Sequence, residues 1–371
     1  MSNKIRVLIV DDSALIRRIL TDMLNRHPEI EVVGTAQDGS FVINKIKQFQ
    51  PDIVTLDVEM RTTGGLEILP EIVKTFRIPV IMVSAHTERG AEATLKALEL
   101  GAVDFVTKPQ AGGMNSVQEI EEILVQKIIA VAGSRLKQRL RSGPIEKQVR
   151  PVPVWHKVVR TPAFSIANKV DLIAIGASTG GTEAIKDVLV GLPNTLPGIV
   201  IVQHMPPGFT RAFANRLNTL SPISVKEAED GDDILRGTAL VAPGSYHMDV
   251  VRVGGRLRVR LLETPPVNRH RPSVDVLFQS VAEKIGNRSI GVILTGMGGD
   301  GSRGMKLMYD QKALTVAQDE DSCVVFGMPK EAIKLGGVTQ VLPLEQIAPF
   351  LIDLLTPASD PVRMAGINAF L

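Results

Sequence analysis

Asp171-Leu172-Ile173-Ala174-Ile175 runs directly into Gly176-Ala177-Ser178-Thr179-Gly180-Gly181. A short apolar run predicts a buried strand, the glycines allow a sharp turn, and apolar residues at helical spacing follow over 183–190. The phrase recurs. Residues 198–202 end at Gln203-His204-Met205-Pro206, and residues 290–294 end at Thr295-Gly296-Met297-Gly298-Gly299-Asp300-Gly301. Helical periodicity returns over 211–220 and 274–285. Such βα units predict a doubly wound, mostly parallel sheet covered by helices on both faces. Residues 239–242, 248–253 and 257–262, with Gly254-Gly255 between the last two, read as antiparallel, so an antiparallel edge hairpin is expected.

The first half keeps the same rhythm. Apolar runs at 5–10, 31–36, 53–56, 79–83 and 103–106 alternate with helical spacing, and Ser13 is placed to cap a helix that sets Leu15, Ile16, Ile19, Leu20, Met23 and Leu24 on one face. Five βα units predict a second α/β domain, a flavodoxin-like five-stranded parallel sheet whose last helix begins near Val117. Between Lys127 and Lys169 the composition changes to ten Lys or Arg, one acid (Glu146) and four prolines, with the chain's one tryptophan, Trp155. That pattern is expected of a tether. The expected boundaries are a first domain at 1–125, a helix end and basic linker at 126–168, a second domain at 169–357 and a tail at 358–371.

The chain has 371 residues, enough for two or three domains with large cores. A net charge of +2 gives no footprint for nucleic-acid binding, and none is expected. Cys323 stands alone, which rules out a disulfide within the chain and favours a reducing compartment. The apolar run at 5–10 is too short for a signal-peptide core or a membrane span, so a cytoplasmic protein, not inserted in a membrane, is expected.

In an open parallel sheet, functional groups gather at the carboxyl ends of the strands. Asp11, Asp12 and Asp57, Ser84 and Lys108 all end or follow predicted strands in the first half. Three clustered carboxylates call for a hard cation such as Mg²⁺, and a lysine opposite them suits a phosphoryl group. Any one of these aspartates alone is an ordinary turn residue; their joint placement is not. Over residues 1 to about 125 the sequence resembles a response-regulator receiver domain. The resemblance implies that Asp57 is the phosphoacceptor and that Asp11 and Asp12 help it hold Mg²⁺. It also implies that Ser84 and Phe105 transmit the switch, that Lys108 contacts the phosphoryl group, and that a histidine kinase is the donor. Met60-Arg61-Thr62-Thr63-Gly64-Gly65 departs from the family: Arg61 stands for the usual proline and Gly64 for the usual aspartate.

In the second half, Gly176-Ala177-Ser178-Thr179-Gly180 fits the G-x-S-x-G turn of a serine nucleophile. His204 and Asp300 follow other predicted strands, positions suited to a general base and the carboxylate that orients it. His270, in Arg269-His270-Arg271-Pro272-Ser273, reads as part of a substrate-side loop. A dinucleotide site is disfavoured because no acid follows the 198–202 run, and neither Tyr246 nor Tyr309 has a lysine four residues on. These motifs, with Arg271-Pro272-Ser273-Val274-Asp275-Val276-Leu277, resemble the chemotaxis protein-glutamate methylesterases, the CheB family. The resemblance implies that Ser178 attacks, His204 shuttles the proton, Asp300 supports it, and the region of Thr179 and Met297 forms the oxyanion hole. It implies an enzyme, without a cofactor in the esterase site, that removes methyl esters from glutamates of membrane chemoreceptors and deamidates receptor glutamines. It further implies that the unphosphorylated first domain blocks the second. The competing readings are a non-enzymatic response regulator and a phospho-regulated oxidoreductase.

Overall fold

The apolar runs of the first half all become strands, because each is flanked by residues that stop it. β1 (Ile5–Val10), β2 (Ile30–Ala36), β3 (Ile53–Asp57), β4 (Val80–Ser84) and β5 (Asp104–Thr107) form a five-stranded sheet in the order β2-β1-β3-β4-β5. Every pairing in it is parallel. The computed structural model describes residues 4–60, 63–85, 87–108, 117–134 and 170–356. The chain divides into two compact units, residues 1–143 and 144–371.

Among the described residues five α-helices cover the first sheet, α1 (Ala14–Asn25), α2 (Gly39–Phe49), α3 (Gly65–Glu71), α4 (Glu88–Glu99) and α5 (Val117–Gly133), with a π-helical turn (Ile72–Phe76) continuing α3. Ser13, Asp38 and Thr87 occupy the N-caps of α1, α2 and α4, and each accepts a backbone N–H with its side-chain oxygen. On α1 the apolar stripe is buried only in part. Leu20, Met23 and Leu24 face the core while Leu15 is 65% exposed beside the aspartate turn. α5 runs on through the boundary expected at 125/126, with Ile120, Leu124, Ile128 and Val131 buried at helical spacing. Arg61, His86, most of the linker with Trp155 and His156, and the 358–371 tail lie outside the described residues.

The second unit carries a seven-stranded sheet and a separate two-stranded one. In chain order its strands are β6 (Leu172–Ala177), β7 (Gly198–Gln203), β8 (Ser224–Glu227), β9 (Thr238–Val241), β10 (His247–Val253), β11 (Arg256–Leu262), β12 (Ser289–Ile293), β13 (Leu314–Gln318) and β14 (Gln340–Leu342). Its helices are α6 (Gly181–Val190), α7 (Phe209–Leu220), α8 (Val274–Lys284), α9 (Ser302–Asp310), α10 (Met328–Lys334) and α11 (Leu344–Leu355). The large sheet is parallel throughout, in the order β14-β13-β12-β6-β7-β9-β8.

Two details differ from the sequence reading. Residues 239–242 join the large sheet, because Ala239, Leu240, Val241 and Ala242 are all buried, the continuous apolar pattern of a parallel strand covered on both faces. The antiparallel hairpin exists, but β10 and β11 form a two-stranded sheet of their own, to which Asp233 adds an antiparallel bridge at Arg258. Their alternating arginines, Arg256, Arg258 and Arg260, keep one face in water, with Arg258 and Arg260 paired to Asp233 and Asp249.

Candidate functional site

Strand order sets both sites. In the first sheet β1 lies between β2 and β3, so the chain reverses direction of growth there and a crevice opens at the carboxyl ends of β1 and β3. Asp11 follows β1 and Asp57 ends β3; both are buried. Asp11, Asp12 and Asp57 each bring one carboxylate oxygen to within 4.8 Å of the others. Lys108, just past β5, places Nζ 2.6 Å from Asp57 Oδ2 and 2.9 Å from Asp11 Oδ2. Burial, together with the neighbouring Asp11 charge, raises Asp57 to about 6 despite the hydrogen bond from Lys108. Burial acts to lower the Lys108 ammonium, but its bonds to Asp57 and Asp11 prevail and hold it above its ordinary value. Beyond Lys108, Asp57 receives only the Glu59 amide, at 3.2 Å, among the described residues. An under-supplied, all-oxygen cluster fits a hard divalent cation. Gly65 has a steric role here, since a Cβ on it would lie 2.0 Å from the Asp57 carbonyl oxygen.

Ser84 ends β4, the strand beside β3. Its hydroxyl donates to Gly90 O at 3.2 Å and Ala85 O at 3.3 Å, pinning the turn into α4. Phe105 is buried, with Lys127 Nζ 5.7 Å from its ring centroid.

In the second sheet β12, β6 and β7 are consecutive neighbours, so the residues that follow them converge. Ser178 follows β6, His204 follows β7, and Asp300 sits in the turn after β12. His204 Nε2 and Asp300 Oδ2 are 2.8 Å apart. The carboxylate accepts, so Nε2 carries the proton, which leaves Nδ1 as the basic nitrogen; Nδ1 is buried and has no hydrogen-bond partner among the described residues. Ser178 Oγ makes no hydrogen bond among the described residues. The nucleophile turn is tied down from behind. Ser178 N donates to Thr295 O at 3.0 Å, Gln203 Nε2 donates to Ser178 O at 2.9 Å, and Thr295 Oγ1 donates to Thr179 O at 2.9 Å. Gly296 packs against the nucleophile itself, where a Cβ would lie 2.9 Å from that of Ser178. Neither the Thr179 nor the Met297 amide finds an acceptor among the described residues, which leaves two donors beside Ser178.

Asp300 is surrounded by donors. Oδ1 accepts from Ser273 Oγ at 2.7 Å and Asn268 Nδ2 at 2.6 Å, and Oδ2 accepts from Val274 N at 2.6 Å as well as from His204. Val274 opens α8, so Asp300 also serves that helix as a remote cap at its positive end. Burial by itself raises the carboxylate; the bonds from His204, Asn268 and Ser273 outweigh it and hold Asp300 well below the ordinary range. His204, His270 and Asp300 bring ligand-type atoms within 4.8 Å, but Asp300's lone pairs are already taken, which fits a metal poorly.

The substrate-side loop brings His270 into the site, where its ring stacks on that of His204 at 3.7 Å between centroids and 10° between planes. Asn268, Ser273, Asp275, Thr295 and Gln203 were not singled out as site residues by sequence reasoning. Ser273-Val274-Asp275 ahead of an amphipathic run is a helix-start signal, which marks the place but not its contact with Asp300.

Residues 173–351 match the family model described as CheB methylesterase, and residues 7–118 match that of the response regulator receiver domain. The chain is 51% identical over 346 residues to a Pectobacterium atrosepticum protein named protein-glutamate methylesterase/protein-glutamine glutaminase, covering 93% of this chain and 95% of that one. A Salmonella typhimurium protein of the same name is 50% identical over 350 residues, with the same shares covered. The crystal structure of the Thermotoga maritima CheB methylesterase catalytic domain is 40% identical, covering 50% of this chain and 98% of that chain, with a TM-score of 0.49.

Proposed function

The chain belongs to the CheB methylesterase family, and from that premise we propose how its own residues perform and control the reaction. It is a protein-glutamate methylesterase and protein-glutamine glutaminase with a receiver domain, acting in chemotactic adaptation. What carries the assignment of residues is the convergence of Ser178, His204 and Asp300 after three neighbouring strands, with Asp300 bonded to one nitrogen of His204 and the other left unpartnered.

Ser178 Oγ attacks the γ-carbonyl carbon of a glutamate methyl ester while His204 Nδ1 takes its proton. The oxyanion is received by the Thr179 and Met297 amides. Collapse of the tetrahedral intermediate breaks the bond to the methoxy oxygen, which takes the proton from Nδ1 and leaves as methanol. Water, deprotonated by the same nitrogen, then attacks the acyl-serine; the bond to Ser178 Oγ breaks, Nδ1 returns the proton to that oxygen, and the glutamate carboxylate is released. The same steps on a glutamine release ammonia. Asp300 stays ionised throughout and stabilises the imidazolium formed in each half. The Ser178–His204 hydrogen bond is open in the free enzyme and closes on substrate, as catalytic bonds often do.

In the receiver, Asp57 is the phosphoacceptor and Lys108 contacts the phosphoryl oxygens. Asp11, Asp12 and Asp57 would hold Mg²⁺, which supplies neutralisation of the charge gathered on carboxylate and phosphoryl group. Ser84 and Phe105 carry the change away from Asp57, and phosphorylation raises esterase activity by shifting the population towards an open form. The substrates are membrane chemoreceptors and the phosphodonor is a chemotaxis histidine kinase. No helix among the described residues is long and apolar enough to cross a membrane. We place the receiver at 1–125, the linker at 126–168, the catalytic domain at 169–357 and the tail at 358–371.

A serine-directed phosphonate reagent followed by mass spectrometry tests the assignment. One adduct is expected, on Ser178, absent in Ser178→Ala and slowed in His204→Gln. An unlabelled Ser178, or hydrolysis that persists in folded Ser178→Ala, would remove it.

A further inference from the structure

His247 opens β10 and is fully buried, yet both of its ring nitrogens are engaged by backbone. Nε2 lies 3.0 Å from Pro265 O, and Nδ1 lies 3.1 Å from Ser273 N. A carbonyl only accepts and an amide only donates, so a single neutral tautomer, protonated on Nε2, satisfies both. The two anchor points bracket residues 266–272.

Inside the bracket, Val267 and His270 exchange backbone hydrogen bonds of 3.1 and 2.9 Å. The two residues between them, Asn268 and Arg269, take φ of 51° and 67°. Two successive non-glycine residues in the left-handed region are a strained arrangement that persists only where its surroundings enforce it. The strain has a product. The tight turn delivers Asn268 Nδ2 to Asp300 Oδ1 at 2.6 Å and to Asp275 Oδ2 at 2.8 Å, and lays the His270 ring on His204. At the far anchor, Ser273 presents its amide to His247 and its hydroxyl to Asp300.

We propose that His247 is a positioning residue for the esterase reaction: a two-point clamp on Pro265 and Ser273 that holds the 266–272 turn so that Asn268 and Ser273 fix Asp300 and His270 fixes the ring of His204. It touches no reacting atom. The inference rests on the assignment of Ser178, His204 and Asp300 given above, and it deepens that assignment.

Three substitutions in the full-length protein separate clamping from bulk. His247→Leu fills the space and removes both bonds. His247→Asn keeps an acceptor near the Nδ1 position for the Ser273 amide, and His247→Gln keeps a donor near the Nε2 position for the Pro265 carbonyl. Misplacement of catalytic groups by a fraction of an ångström to an ångström lowers turnover by roughly 10- to 100-fold, which is the loss of kcat expected for His247→Leu, with KM unchanged. His247→Asn is expected to recover most of it, because Ser273 bonds Asp300 directly, and His247→Gln less. Combining His247→Leu with Asn268→Ala is expected to cost little more than the larger single loss, since the Asn268 bond to Asp300 is already lost when the clamp is released.

A folded His247→Leu with wild-type kcat, or losses that multiply in the double variant, would overturn the clamp. If His247→Leu does not fold, the order of Asn above Gln decides, and its reversal or equality contradicts the proposal. A second readout needs no substrate: the low-field proton resonance of the His204 Nε2–H to Asp300 bond, expected in the wild type and in His247→Asn and lost or broadened in His247→Leu. A resonance unchanged in His247→Leu would contradict the clamp. Absence of ester hydrolysis in the wild type itself would instead sink the proposed function, leaving that resonance to judge the clamp.

Discussion

Asp57 and Asp300 are both buried aspartates at the carboxyl ends of parallel strands, 1% and 3% exposed, and their surroundings push them in opposite directions. Asp57 has one lysine shared with Asp11, one long backbone bond, and a second carboxylate close by, and it rises to about 6. Asp300 has a histidine, an amide side chain, a hydroxyl and a helix N-terminus, and it falls. Burial is the largest influence on each carboxylate and raises both; the donors around each decide the sign. One site is left wanting positive charge and is therefore suited to take up a cation and a phosphoryl group. The other is finished, and its task is to stay ionised while a neighbouring ring gains and loses a proton.

Neutralising the finished site is expected to do the most damage. Asp300→Asn should lower kcat by on the order of 10⁴-fold, the magnitude known for a triad carboxylate whose loss leaves the imidazole in the wrong tautomer. Steady-state methanol release measures it, and a loss under tenfold would mean that Asp300 does not orient His204.

The unfinished site should respond in the opposite way. A folded-state value raised to about 6 favours the protonated form, so the stability it lends below pH 4 is lost as pH rises through 6. Asp57→Asn has no such charge to bury and is expected to stabilise the receiver at pH 7.5 by about 3 kcal/mol, with the gap closing between pH 6 and pH 4. Denaturant melts of the receiver transition across that range test this; a gap independent of pH would contradict the raised value. Asp300 carries the reverse sign, lending stability above the ordinary carboxylate range that is lost only in strong acid.

Cation binding sharpens the contrast further. At tenfold above its dissociation constant, Mg²⁺ should stabilise the wild-type receiver by about 1.4 kcal/mol and flatten its dependence on pH, while leaving Asp57→Asn almost unmoved. An equal shift in the two proteins would place the ion elsewhere. The smallest effect is expected where donors are in surplus: Ser273→Ala removes one of several bonds to Asp300 and should cost about 1 kcal/mol, near fivefold in kcat. A loss approaching that of Asp300→Asn would show that the surplus does not exist.

The framework of both sites was legible because strand ends announce themselves. Ser178, His204, Asp11 and Asp57 each follow or end an apolar run, and a parallel sheet gathers such positions without further information. The sheet membership of 239–242 was misread because its neighbours in sequence form a hairpin, although its unbroken apolar character pointed to a covered strand. The shell around Asp300 was not legible for a different reason. Asn268 and Arg269 form a tight turn without glycine, and the residues that flank that turn, Pro265 and Ser273, are bonded to His247, about 20 positions earlier, whose position in β10 reads as core. Leu15 shows the converse, an apolar residue at the right helical spacing that faces outward because it belongs to the first turn beside the aspartates.

The most direct measurement is methanol release from methylated chemoreceptor membranes by the full-length protein, with and without a small phosphodonor and Mg²⁺, beside Ser178→Ala and Asp57→Asn. The expected result is release that vanishes in Ser178→Ala, rises with phosphodonor in the wild type and stays at its basal level in Asp57→Asn. Release that survives in Ser178→Ala, or no release from a substrate shown to be competent, would contradict the assignment of the esterase, and a rise that persists in Asp57→Asn would contradict the assignment of the switch.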